Sequence, residues 1–125
     1  MARKSKEKAL QSSIEFIIKG IQEKKGKQII ILNISAIDNT AAKYFVICHG
    51  TSNTHVQAIA ESIEDIVRES NGDKPINKEG LENAEWILID YFDVIVHVFQ
   101  EPIRRIYKLE DLWADAEIQY IKDLD

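Results

Sequence analysis

Apolar residues recur along this chain in two rhythms, one near 3.6 residues and one of two, and the changes of rhythm mark out the elements. Leu10, Ile14, Ile17, Ile18 and Ile21 share one face of a helix, predicted over Lys4 to Lys25. Gly26, just after Lys24-Lys25, supplies a stop, with the lysines suited to the negative end of the helix dipole. Gln28 to Ile34 is then almost continuously apolar and rich in β-branched residues, the pattern of a strand covered on both faces. Ser35 to Lys43 is polar and turn-like, and Tyr44 to Cys48 forms a second strand that runs out at His49-Gly50. Val56, Ile59, Ala60, Ile63, Ile66 and Val67 restore the helical period, with Thr51 or Ser52 available as N-cap and Asn71-Gly72 as the end.

Pro75 to Glu79 holds at most a short edge strand, because proline cannot donate to an interior ladder. Trp86 to Tyr91 and Val94 to Phe99 are strands separated only by Phe92-Asp93, which predicts a tight antiparallel hairpin lacking the usual glycine signal. Glu101 to Trp113 reads as one helix, with Pro102 near its start where a missing N–H costs nothing. The order is α-β-β-α-(β)-β-β-α. It predicts an α/β (α+β) fold with a single mixed sheet of four to five strands and flanking helices. One domain over 1–125 is expected, with its core over about 10–116 and an acidic C-terminal tail, 117–125, lying at the periphery.

Composition narrows the function classes. A chain of 125 residues suits one domain and can bury roughly two thirds of its unfolded surface. No apolar run approaches the ~18 residues of a membrane span, and the basic start lacks the apolar segment of a secretory signal. These features and the single cysteine, Cys48, point to a reducing, cytoplasmic setting. Cys48 sits within Tyr44-Phe45-Val46-Ile47-Cys48 and reads as a small buried hydrophobe. Net charge is −5; Met1 to Lys8 carries four basic residues and one acid, so the rest of the chain is at −8. An acidic body disfavours wrapping nucleic acid and favours a basic protein as partner.

Candidate chemistry is sparse. Gly50-Thr51-Ser52 lies at a strand-to-helix turn, where free N–H groups and the helix dipole favour an anion. A nucleotidyltransferase would also need paired carboxylates for metal, and only Asp90 and Asp93 are on offer. His49, His55 and His97 follow no metal-ligand spacing, although His49 and His55 flank the turn closely enough to meet. On the last strand His97 shares a face with Ile95 and Phe99, which reads as a satisfied, partly buried histidine. Trp86, Leu88 and Asp90 point away from the Ile87/Ile89 core face. Trp86 on that side is either an interface anchor or is covered by a helix. The mixed charges Glu101, Arg104, Arg105, Glu110 and Asp111 suggest a solvated helix face, with Tyr107, Leu109, Leu112 and Trp113 as its apolar side.

Taken in order, several strings resemble a known family. They are Lys25-Gly26-Lys27, Tyr44-Phe45-Val46-Ile47, and Gly50-Thr51-Ser52 followed after two residues by His55-Val56. Glu79-Gly80, Glu85-Trp86, Asp90-Tyr91, Asp93-Val94 and Val96-His97-Val98-Phe99 continue the series. Arg104 with Tyr107, and Leu109-Glu110 with Leu112-Trp113, complete it. Over about Leu10 to Ala116 this resembles the ribosomal silencing factors, or Iojap-like family. The resemblance implies a nucleotidyltransferase-like fold without catalytic acids, and a translation repressor that needs no metal and no cofactor. It implies binding to the large ribosomal subunit through its protein numbered fourteen, with little direct RNA contact, so that joining with the small subunit is blocked. It also implies that homodimers can form. Carried over residue by residue, Trp86 matches a tryptophan at the ribosomal-protein contact, with Glu79, Asp90, His97 and Tyr107 as companions. Members often carry an acid where this chain has Lys43, and Asp where it has Gln28 and Asn33, so no role follows for acids on the first two strands. An enzyme built on Gly50-Thr51-Ser52 and a plain homodimerisation module are the rival readings.

Overall fold

The computed structural model describes residues 2–37, 42–112 and 115–124. Ten elements follow one another: α1 (Ala2–Glu23), β1 (Lys27–Asn33), β2 (Tyr44–Gly50), α2 (Asn53–Asn71), β3 (Asn77–Glu79), β4 (Trp86–Asp90), β5 (Val94–Gln100), α3 (Glu101–Tyr107), α4 (Leu109–Leu112) and β6 (Glu117–Ile121). The strands make one mixed sheet in the order β3-β4-β5-β2-β1-β6. All neighbours are antiparallel except the central pair β2 and β5, which run parallel from Tyr44 beside Val94 to Gly50 beside Gln100.

The alternation read from the sequence decides both faces. Ile29, Ile31, Val46, Cys48, Ile87, Ile89, Val94, Val96 and Val98 point to one side and pack beneath Ile14, Ile17 and Ile21 of α1 and Val56, Ile59, Ile63 and Val67 of α2. Burial pushes the Cys48 thiol up to about 12, so it stays protonated and acts only as packing. The two helices close on each other at Gly20, where a Cβ would meet the Ile63 backbone at 2.6 Å, and the Ser62 hydroxyl donates to the Gly20 carbonyl at 2.8 Å. Ile30, Leu32, Ile47 and Phe99 take the other side, with Leu109 closing over them. β1 is therefore buried on both faces from Ile29 through Leu32, as its unbroken apolar run requires.

The expected caps form: the Ser52 hydroxyl accepts from the His55 N–H at 3.1 Å, and Gly72 ends α2 in the left-handed conformation. Three expectations need correction. The helix after β5 is two helices, because Lys108 turns left-handed (φ 43°) and redirects the chain so that Leu109 is buried; Trp113 lies outside the described residues. The tail contributes a sixth strand, since β6 pairs with β1 from Ile29 beside Ile121 to Asn33 beside Glu117. Its alternation of Glu117, Ile118, Gln119, Tyr120 and Ile121 was hidden by the surrounding acids. At the end of α1 the left-handed residue is Lys25 (φ 59°), whereas Gly26 is required because a Cβ there would strike the Ile21 side chain.

The β4–β5 turn explains its missing glycine. Of the three residues between β4 and β5 only Phe92 has positive φ (74°), and the Asp90 carboxylate accepts its N–H at 2.7 Å. Gly80, after β3, sits at φ 81° where a Cβ would also run into the Trp86 carbonyl oxygen. Replacing Gly80 with Ala should lower stability by about 3 kcal/mol, the sum of a left-handed penalty and overpacking. Urea unfolding measures this; a change below about 1 kcal/mol would show that the loop relaxes freely.

Candidate functional site

Among the described residues, the side of the sheet away from α1 and α2 is covered only in part. Because directly paired residues share a face, the register lays out its surface in rows. One row runs Glu79, Leu88, His97, Ile47, Ile30, Tyr120; the next runs Asp90, Ile95, Phe45, Leu32, Ile118; the third runs Trp86, Phe99, His49, Lys27. α3 packs over the third row. Glu79, Trp86, Asp90, His97 and Tyr107, read separately from the sequence, thus fall together around Leu88.

Trp86 is half-buried. Its ring stacks on Phe99 with centroids 4.8 Å apart and planes 27° from parallel, and Tyr107 of α3 lies 4.8 Å from its centroid at 49°. The indole N–H donates to Nδ1 of His97 at 3.0 Å. Trp86 packs against the second core and keeps an accessible edge. Tyr107 is half exposed, with a relative accessibility of 50%. His97 is 5% exposed and so lies beneath this surface, with Phe45 set edge-on to it at 4.8 Å. Burial pushes its imidazole down to about 4.

The charges around the patch sort by alternation. Lys78 turns to the helix side and pairs with Glu64 at 3.1 Å, while Glu79 is exposed on the tryptophan side. Asp90 is half-buried and holds the turn through its bond to Phe92. The open face therefore meets solvent with aromatic and aliphatic edges bordered by acids. Phe99, the platform under Trp86, and Leu88 at its centre are the members that sequence reasoning passed over. Alternation alone places Leu88 between Trp86 and Asp90, whereas Phe99 needed the strand register.

The Gly50-Thr51-Ser52 turn is built differently. The Thr51 N–H donates to His55 Nδ1 at 2.9 Å, and His55 Nε2 donates to the Lys24 carbonyl at 2.6 Å. The Thr54 N–H is taken by the Asn53 side chain and the His55 N–H by Ser52. The N–H groups of Thr51, Thr54 and His55 are thus spent on closing the turn, and the His55 ring ties it to α1. Asp90 and Asp93 lie at the other end of the parallel β2/β5 pair, about 20 Å away by strand rise. Among the described residues no three His, Cys, Asp or Glu side chains gather where they could hold a metal ion.

His49 and His55 do not meet. His49 points to the α3 side, where its Nδ1 lies 2.9 Å from Arg104 Nη1 and its Nε2 3.6 Å from Glu101. Arg104 is buried at 8% exposure, so the α3 charges are not all solvated as the sequence suggested; Arg105, which pairs with Glu101, is exposed. Burial and the Arg104 charge both hold His49 below its ordinary range.

His97 gives this fold an acid-side limit. Unfolded, the imidazole takes a proton near 6.5; folded, near 4. Between those values the unfolded state binds more protons, so stability falls as pH drops through that window and the loss is complete below about 4. The difference amounts to about 3 kcal/mol, and His49 adds in the same direction. Unfolding midpoints measured between neutral and acid pH should fall less steeply for His97→Leu than for the wild type. Equal slopes would remove the buried imidazole as the cause.

Relatives place this architecture. The family model described as "Ribosomal silencing factor during starvation" matches residues 6–125. The ribosomal silencing factor RsfS of Halalkalibacterium halodurans is 41% identical over 106 residues, covering 85% of this chain and 89% of that protein. The RsfS of Bacillus subtilis is 40% identical over 115 residues, covering 92% and 93%. A crystal structure of a Chromobacterium violaceum protein superposes with a TM-score of 0.78 at 34% identity, covering 83% of this chain and 85% of that one. With its sheet, its helix layer and almost its full length accounted for, this chain belongs to the ribosomal silencing factor family.

Proposed function

We propose that this protein is a translation repressor, without enzymatic activity, that seats on the large ribosomal subunit through its protein numbered fourteen. By occupying that surface it blocks joining of the small subunit. Membership of the silencing-factor family supports the ribosome as partner, and the state of Trp86 carries the choice of surface. A large aromatic already stacked and hydrogen-bonded in the free protein loses little freedom on docking, the property of an interface anchor. Leu88 and Tyr107 extend the apolar contact, within a footprint of roughly 800 Å². Glu79 and Asp90 at the border, with the chain's net charge of −5, favour encounter with a basic protein over rRNA phosphate. The setting is the cytoplasm, where ribosomal subunits join. The enzymatic reading loses support from the committed donors of the Gly50-Thr51-Ser52 turn.

Sedimentation with purified large subunits, repeated after small subunits are added, tests the proposal. Co-sedimentation with fewer joined ribosomes is expected; failure to bind either subunit overturns it. Trp86→Ala should weaken binding by about 2 kcal/mol, or roughly 30-fold, while the circular-dichroism spectrum remains that of the folded protein. A folded variant with wild-type affinity would remove Trp86 as the anchor.

A further inference from the structure

We propose that His97 is the positioning residue of this face, acting through Trp86 and never touching the partner itself. The inference rests on the docking role of the tryptophan face. With 5% exposure His97 is out of a partner's reach, in contrast to the companion contact that the family resemblance implies. What it touches is the anchor. The Trp86 indole N–H donates and cannot accept, so Nδ1 of His97 carries the lone pair and its proton sits on Nε2. That assignment leaves Nε2–H buried, with no acceptor among the described residues. The bond to Trp86 is thus the single hydrogen bond described for this imidazole.

An aliphatic side chain would fill the same place between Leu88 and Ile47, its neighbours across the sheet, without burying an unmatched donor. The imidazole adds an acceptor at one point, and that point selects the orientation of Trp86. Stacking on Phe99 sets the plane of the indole but not which edge faces inward, because a flipped ring stacks equally well. The Nδ1 lone pair distinguishes the two: one flip makes the bond, the other turns the N–H toward solvent and leaves the buried Nδ1 without a donor. Phe45, edge-on against His97 from the neighbouring strand, and Phe99, beside it at 6.3 Å, in turn keep the imidazole from rotating. The anchor is oriented before any partner arrives, through a chain running Phe45, His97, Trp86.

Proton NMR of the full-length protein tests this without ribosomes. The Trp86 indole resonance, identified by its loss in Trp86→Phe, should be displaced from that of a solvated indole and slow to exchange. In His97→Leu it should return to the solvated position and exchange about tenfold faster, and His97→Asn, whose amide oxygen stands near the place of Nδ1, should restore it. If His97→Leu fails to fold, His97→Phe serves as the variant without an acceptor. In the sedimentation assay His97→Leu should bind large subunits about tenfold more weakly and His97→Asn close to wild type. An indole proton equally protected in His97→Leu, or an Asn variant that behaves like Leu, overturns the proposal. Wild-type binding by Trp86→Ala would instead defeat the docking reading, and the NMR comparison would still decide whether His97 orients Trp86.

Discussion

The parallel pairing of β2 with β5 is the constraint from which the rest of this architecture follows. Parallel neighbours cannot be joined by a tight turn, so the chain must leave the end of β2, cross a face of the sheet and return. Here it crosses as α2, and the return passes through β3 and β4 before β5 can lie beside β2. α2 thereby claims one face, and α1 packs beside it through the contact of Gly20 with Ile63. Two long helices cover that side, so the fully apolar positions of the strands are directed to it. Among the described residues the other side receives only the short α3 and α4, and it is the side where aromatic and charged residues share the surface.

This asymmetry gives the two faces different physics. Beneath α1 and α2 the buried contacts are mostly aliphatic, and burial is what chiefly stabilises them. On the other side Trp86, Phe99, His97, Phe45 and Tyr107 contact one another with defined ring geometry. Aromatic pairs and a buried hydrogen bond depend on orientation, so this cluster specifies a shape as well as adding stability. A surface meant for a macromolecular partner benefits from that property, because groups ordered beforehand need no ordering on contact.

Charge follows the same division. Lys78 and Glu64 neutralise each other on the helix side, while Glu79 and Asp90 border the aromatic face. Near α3, the buried Arg104 is held against His49 and fastens that helix to the end of β2. Tyr107, one turn further along α3, is carried to Trp86 by that attachment. A set of charges that looks like an ordinary solvated helix therefore has one member fixing the position of Tyr107 beside Trp86.

Local order was legible in the sequence because it depends on near neighbours. The helical stripe from Leu10 to Ile21, the Ser52 cap, the hairpin around Phe92-Asp93 and the inward set Ile87, Ile89, Val94, Val96 and Val98 all follow from periodicity and short-range hydrogen bonding. The outward set of Trp86, Leu88 and Asp90 follows from the same alternation. What required the tertiary structure was pairing between distant segments. The place of β6 beside β1, the stacking of Trp86 on Phe99, the burial of Arg104 and the proton assignment of His97 each depend on residues far apart in sequence. The break at Lys108 belongs with them, since local propensity favours a continuous helix and only the burial of Leu109 turns the chain. Periodicity tells which side of a strand a residue occupies; only register decides what lies beside it there, and in this protein the aromatic face is made of such neighbours.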